Sequence, residues 1–272
     1  MRLGMLIALV EQDPADTIRA VQDLGFPTCQ VSCRAQTNVT PELARALREA
    51  ADRAGIAITT IWAGTSGQED WNFIDGPRTI GLVPAETRAE RLAALKRGAE
   101  FASWAGVAGI SSHVGFIPEN PGDPVYGDLL AALRELAEHC GALGLEFWFE
   151  TGQETPITLL RTIEDLGLPN LGINFDPANL LMYGKANPLD ALDVFGRYVR
   201  GVHAKDGEYP TNGRELGVEK PLGQGRVNFP ALIGKLRDLG YGGALTIERE
   251  ISGEQQIADI KAGKAYLESL LS

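Results

Sequence analysis

The sequence predicts an α/β protein built as a single (β/α)8 barrel, and three observations predict it. Short apolar runs alternate with longer amphipathic runs along the chain. The unit recurs about every 30 residues, as strand–helix repeats do. Eight such units fit within 272 residues, a common length for a barrel of this kind. Strict alternation implies a parallel sheet with right-handed crossovers. Eight units favour closure over an open, doubly wound sheet. No composition break or low-complexity tract divides the chain, so one domain over 1–272 is expected.

Taken in order, the first strand reads RLGMLIALV, and a helix starts at Asp13-Pro14. The second strand covers Thr28–Cys33. Its helix opens on Thr40-Pro41-Glu42, a Thr cap with Pro at the first helical position, and Gly55 closes it. The third strand is Ile56–Ala63, followed by a long loop from Gly64 to Pro84 and a helix over Ala85–Trp104. The fourth strand, Ala108–His113, leads through a Pro/Gly/Asn loop to a helix near Tyr126–Leu143. The fifth strand is Leu145–Glu150, with a helix from about Pro156. The sixth is Leu171–Asp176, followed by a loop and a short helix from Pro188. The seventh is Val199–Ala204, followed by a long polar loop and a helix between Phe229-Pro230 and Gly240. The eighth is Ala244–Glu248, and the last helix runs from Gly253 to Leu271.

Composition excludes several classes. Hydrophobic residues make up 44% and charged residues 22%, ordinary for a globular chain with a large core. No apolar run is long enough to span a membrane, and the N-terminus reads as a strand, not as a secretory signal. A net charge of −11 disfavours nucleic acid, whose binding rests on Lys and Arg against phosphate. Cys29, Cys33 and Cys140 are odd in number and form no CxxC pair; a bridge at i,i+4 within a strand would be strained. Three reduced thiols in a cytoplasmic protein are the expectation.

Four successive strands end in a residue able to bind metal: Glu150, Asp176, His203 and Glu248. In a barrel these ends share the C-terminal rim, where the chemistry of such folds sits. Side chains alternate along a strand, so residues two apart share a face. Glu150 goes with Trp148, Asp176 with Asn174 and Gly172, His203 with Gly201 and Val199, Glu248 with Thr246 and Ala244. The opposite parity holds Phe147, Phe149, Ile173, Phe175, Val202, Leu245 and Ile247, which suit packing beneath helices. All four candidates therefore point inward, while Arg200 falls on the outer face near a strand start. Singly, Asp176 before Pro177 reads as a helix cap and His203 as a core histidine; the conjunction of four points to a metal. Three converging carboxylates repel one another unless a cation lies between them. Oxygen-rich ligation with one imidazole suits a single divalent ion, Mn²⁺ first, with Mg²⁺, Co²⁺ and Zn²⁺ as alternatives.

The segments FWFETG, GINFDPANLLMYG, GVHAKDGEYP, PLGQGRVNFPALI and ALTIERE resemble the sugar phosphate isomerase/epimerase family of xylose-isomerase-like TIM barrels, and GPRTIGLVP and SSHVGF fit in the same order. The resemblance implies one Mn²⁺ or Co²⁺ held by Glu150, Asp176, His203 and Glu248. It also implies that Glu150 and Glu248 face opposite sides of a sugar, one removing a proton beside the carbonyl and the other returning one. A metal at the carbonyl stabilises the developing enediolate, and a carboxylate on each face serves as base or acid. Ketose 3-epimerases of this kind carry a substrate-binding His three residues after the metal Asp and an Arg six residues after the metal His. Here those positions are Asn179 and Tyr209. Lys205, sharing parity with His203, and Arg214 are candidates to take over binding of hydroxyls or anions.

His113 ends the fourth strand beside Glu150 and is a candidate for a substrate hydroxyl, with a structural hydrogen bond as the alternative. Trp62 and Trp71 flank the Gly64–Pro84 loop, where an indole face suits sugar C–H surfaces or anchors the loop. Trp148 is expected to fill the barrel. Glu250 has the parity of a partner or rival to the ligands. His139 reads as structural, and LGQGRVNF resembles a phosphate loop only superficially. The leading function is a metal-dependent isomerase or epimerase of a sugar or polyol in carbohydrate metabolism, with homo-oligomers expected from the family. A dehydratase or lyase on a keto-inositol or 3-keto-glycoside begins with the same proton abstraction, and a non-catalytic sugar-binding barrel is the third reading. A histidine-rich trinuclear nuclease site does not fit three histidines in the chain.

Overall fold

The computed structural model describes residues 1–34 and 37–272. Its strands are β1 (Arg2–Ala8), β2 (Thr28–Cys33), β3 (Ala57–Ala63), β4 (Gly109–Ser112), β5 (Glu146–Glu150), β6 (Leu171–Phe175), β7 (Val199–Ala204), β8 (Asp206–Gly207), β9 (Glu219–Lys220) and β10 (Ala244–Ile247). Eight of them, β1 to β7 and β10, close into a barrel in chain order, every neighbouring pair parallel. The predicted (β/α)8 barrel is thus the observed fold, and each strand lies within a residue or two of its expected place.

The helices are α1 (Pro14–Asp23), α2 (Pro41–Ala54), α3 (Gly76–Thr79), α4 (Ala85–Trp104), α5 (Pro124–Ala142), α6 (Pro156–Leu166), α7 (Pro177–Met182), α8 (Pro188–Phe195), α9 (Phe229–Asp238) and α10 (Glu254–Leu271). One local rule starts most of them. Asp13, Thr40, Asp123, Thr155, Asp176 and Asn187 each accept a hydrogen bond from an N–H of the first turn and are followed by Pro. The side chain satisfies an N–H that has no partner in the helix, and the Pro ring presets φ where no donor is needed. Gly55 ends α2 at φ 67°, a left-handed conformation open to glycine. Among the described residues, no helix is long and apolar enough to cross a membrane.

Helix α7 replaces the loop expected after Asp176. Six residues are too few to show a helical period, and all six are buried. A second difference lies in β7. The register slips between Ile173 and Asn174, where Asn174 pairs with Gly201 and Ile173 with Val199. Arg200 is the extra residue of this bulge. It does not lie on the outer face. It turns into the base of the barrel, its Nε 3.7 Å from Glu146 Oε2, the oxygen that also accepts 2.7 Å from Trp148 Nε1. A Cβ at Gly172 would collide with both Arg200 and Trp148, so this glycine makes room for them. Parity in β7 therefore holds from Gly201 to His203 and fails below.

Outward-facing Phe147, Phe149, Ile173, Phe175, Val202, Leu245 and Ile247 are buried beneath the helices, as their parity required. Two loops over the rim are pinned by buried charges. Arg91 of α4, 1% exposed, donates to the carbonyls of Ser66, Gln68 and Gly81, fixing the segment that carries Trp71. The Asp206 carboxylate accepts from the backbone N–H groups of Gly207, Gly223, Gly225 and Val227. The Gly-rich segment is therefore an anion nest closed around an anion of the chain itself. Cys29, Cys33 and Cys140 are buried free thiols.

Candidate metal centre and substrate cavity

Glu150 ends β5, Asp176 follows β6, His203 lies in β7 and Glu248 follows β10. One ligand atom from each falls within 4.8 Å of the others, and all four residues are buried. His203 Nδ1 lies 3.0 Å from Glu150 Oε1, 3.0 Å from Glu248 Oε2 and 3.8 Å from Asp176 Oδ2. Neighbouring donors around an octahedral ion with bonds of about 2.1 Å sit about 3 Å apart, so this spacing suits a small hard dication. Asp176 Oδ2, His203 Nδ1 and Glu248 Oε2 have no hydrogen-bond partner. Asp176 meets two demands at once: Oδ1 caps α7 by accepting from Asn179 N–H, and Oδ2 turns to the cluster.

The electrostatics call for positive charge. Burial works against charge on His203, yet the carboxylates of Glu150 and Glu248 outweigh it and raise its pKa well above the usual value. Burial pushes the Asp176 carboxyl up, with Lys205 partly opposing it. Burial also opposes ionisation of Glu150 and Glu248. His203 and His113 more than offset it for Glu150, and Lys205 and His203 do so for Glu248, so both lie below the ordinary carboxylate range.

A set of buried side chains holds the cluster in place. His203 Nε2 lies 2.8 Å from Gln30 Oε1 and 3.0 Å from Asn174 Nδ2; an ion on Nδ1 would need the lone pair there, which puts the ring N–H on Nε2 with Gln30 Oε1 as its acceptor. Gln30 Nε2 donates to Asn174 Oδ1, and Asn174 Nδ2 donates to Glu150 Oε2. Trp62 Nε1 donates to the same Glu150 oxygen at 2.6 Å. His113 Nε2 stands 3.5 Å from Glu150 Oε1, its ring edge-on to Trp62 and Trp71. Sequence reasoning missed Gln30. Its signal was the polar parity of Thr28, Gln30 and Ser32 in an otherwise apolar strand.

A cavity of about 260 Å³ opens above the cluster. Of the residues singled out from sequence, Trp62, Trp71, His113, Asn179 and Glu250 line it with Glu150 and Glu248. Lys205 is at the cluster but behind the lining. It is 1% exposed, and its Nζ lies 2.9 Å from Glu250 Oε2, 3.4 Å from Glu248 Oε2 and 3.7 Å from Asp176 Oδ2, while donating to Asn179 Oδ1. Arg214 is not brought to the site. It lies exposed on the loop after β8, where its backbone N–H donates to Asn212, and Leu216 of that loop reaches the cavity instead. Tyr209 points away and donates to Gly184 O. Trp148 fills the barrel below, and His139 stands on α5 near Glu100. Gln153, Met182 and Tyr183 also line the cavity, from irregular or newly helical segments that no periodicity marks.

A curated relative, the uncharacterized protein MJ1311 of Methanocaldococcus jannaschii, is 30% identical over 149 residues, 51% of this chain; the match spans about half of that relative, 49% of its length. The crystal structure of a xylose isomerase domain protein from Planctomyces limnophilus superposes with a TM-score of 0.93 at 39% identity, covering 99% of this chain and 96% of that one. The apo 3-keto-D-glucoside 4-epimerase YcjR of E. coli gives 0.72 at 19% identity over 99% of each chain. A xylose isomerase-like TIM barrel protein from Mycobacterium smegmatis in complex with magnesium gives 0.69 at 20% over 94% and 87%. The last two are likenesses of fold. The family model for the xylose isomerase-like TIM barrel matches residues 18–270, and the chain belongs to that family.

Proposed function

We propose that the protein is a divalent-metal-dependent isomerase or epimerase of a sugar or polyol. The observation that carries this reading is the convergence of four buried ligand atoms, three of them without hydrogen-bond partners, at the floor of a cavity. Sugar epimerases among proteins of the same fold, and a magnesium complex within it, support it. Glu150, Asp176, His203 and Glu248 would hold the ion, Mn²⁺ first and Mg²⁺ next. When bound, it supplies positive charge to a substrate carbonyl oxygen as the adjacent C–H bond ionises.

The rest of the chemistry belongs to the chain. Glu150 and Glu248 approach from β5 and β10, with β6 and β7 between them in the barrel wall. Both lie below the ordinary carboxylate range, so either can take a proton from carbon; the other must first gain a proton from solvent or a substrate hydroxyl, and then returns it to the opposite face. Trp62 and Asn174 fix the Glu150 carboxylate, and Lys205 fixes Glu248. Lys205 adds its ammonium beside Glu248, Asp176 and Glu250, so that with a dication bound the charge of the carboxylates would be largely offset where negative charge develops on substrate.

The test is exchange in deuterated water. Mn²⁺-loaded protein is incubated with free ketohexoses and followed by NMR. Deuterium beside the carbonyl with an intact carbon skeleton is expected, and Glu150→Gln or Glu248→Gln should slow it by roughly 10²–10⁴-fold. An unsaturated product would move the reaction to the dehydratase class. Absence of a stoichiometric divalent ion together with full turnover by Glu150→Gln would sink the proposal.

A further inference from the structure

One side of the cavity carries buried polar groups without well-formed hydrogen bonds to the protein. The Gln153 side chain is 1% exposed and lines the cavity, and neither its amide nitrogen nor its oxygen has a hydrogen-bond partner. The Tyr183 hydroxyl, on a ring 5% exposed, stands near the Gln153 side chain without a well-formed hydrogen bond to it, and His113 Nδ1, on a ring 7% exposed, has no partner. Groups of this kind are normally paired, and an unpaired set facing one space implies a ligand that pairs them. The set is rigidly held. Phe73 and Phe116 pack edge-on against the Tyr183 ring at 6.2 and 5.8 Å. Gly152 lets the chain pass close to His113 and Asn179, either of which would stand 3.4 Å from a Cβ there.

The chemistry of the groups defines their ligand. A carboxamide offers one acceptor and one donor side by side, the complement of two adjacent hydroxyls, and a phenol offers both roles at one atom. No Lys or Arg lines the cavity among the described residues, while Glu150, Glu248 and Glu250 do. That lining suits an uncharged ligand and repels a phosphate. Trp62 and Trp71 supply the flat apolar surface on which sugar C–H groups lie.

We propose that Gln153 and Tyr183 form a hydroxyl-reading pair that sets substrate class. The Gln153 carboxamide accepts from one hydroxyl and donates to its neighbour on carbons remote from the reacting end, Tyr183 binds alongside, and the substrate is an unphosphorylated polyhydroxylated sugar. This rests on the isomerase or epimerase reading above.

The experiment uses the full Mn²⁺-loaded chain and solvent-deuterium exchange. The probes are free D-ketohexoses, their 4-, 5- and 6-deoxy analogues, and their 6-phosphates. The wild type should exchange a free ketohexose faster than its 6-phosphate and faster than at least one deoxy analogue. Gln153→Leu and Tyr183→Phe should each shrink the preference over that analogue by about tenfold or more, chiefly through KM. Mn²⁺ affinity, measured by titration, should stay at the wild-type value and report an intact site. Tyr183→Phe keeps the ring and carries the test alone if Gln153→Leu does not fold. Preference for the 6-phosphate, or an unchanged preference over the deoxy analogue in both variants, overturns this inference while leaving the isomerase reading standing. No exchange of any ketohexose by the wild type overturns both.

Discussion

Gln30 is 1% exposed, and its Oε1 is the acceptor beside His203 Nε2, on the ring edge away from the carboxylates. Gln30→Leu keeps the volume and removes the acceptor for the Nε2–H that an ion on Nδ1 would require, leaving only the Asn174 amide nitrogen beside Nε2. Loss of such a supporting hydrogen bond typically weakens metal binding by about 10–100-fold. Titration of the variant with Mn²⁺ should show that loss, and unchanged affinity would refute the role. Glu154 is a different kind of buried residue. Burial pushes its carboxyl up to about 7, with nearby backbone N–H groups partly opposing the rise. A raised pKa means that the neutral form is stable in the fold, and stability is lost as pH rises from the ordinary carboxyl range through about 7. Glu154→Gln should match the wild type near pH 4.5 and exceed it above pH 7, by up to about 3 kcal/mol. Urea melts at both pH values check this, and an equal difference at both removes the assignment. At this scale the sequence was most legible where a strand constrains the side chain. Parity alone brought Glu150, Asp176, His203 and Glu248 to one place. Gln153 and Tyr183 escaped because no period governs the segments that carry them, and Arg214 misled because its loop is long enough to face either way.

The loop after β7 shows how an element without a period can still be fixed. The Asp206 carboxylate gathers N–H groups from Gly207, Gly223, Gly225 and Val227, and a Cβ on Gly225 would collide with it. Asp206→Ala would leave buried donors unpaired, at a cost on the order of 3 kcal/mol. Chemical denaturation should register that loss, and limited proteolysis should cut between 208 and 227 well before global unfolding. A variant as resistant as the wild type would show that the loop is held by other means. The glycine pattern of this segment was visible in the sequence, but its anion was not. The partner is an aspartate some 17 to 21 residues away in the chain. The β7 bulge escaped for a related reason, since alternation was counted from one end and a register slip leaves no mark in composition.

At the scale of the whole molecule the barrel was legible throughout, because alternation of strand and helix is imposed by burial everywhere along the chain. Stability should depend on the ion in a way that the scaffold alone does not. A ligand present at 100 times its Kd stabilises by about 2.7 kcal/mol, which for a domain of this size shifts Tm by roughly 5–10 °C. Chelation followed by calorimetry should lower Tm by that amount, and Mn²⁺ should restore it. A Tm indifferent to chelator would mean that the carboxylates are already balanced by His203 and Lys205. The three buried thiols offer an independent check of integrity in both states. Burial holds Cys29 and Cys140 up at about 12 and Cys33 at about 11, so none should react with a thiol reagent before unfolding.

The path from Gln30 to His203 and Asn174 crosses the barrel from β2 to β6 and β7. Every proposed ligand belongs to the later half of the chain, whereas Gln30, Trp62 and His113, which contact two of them, belong to the earlier half. The chain thus divides its labour in time as well as in space. During synthesis the supports emerge first with nothing to support, and the ligands emerge last with nothing to aim them. Tight capture of the proposed ion would then wait for the last strand to shut the ring, so a loaded site would certify that the ring has closed.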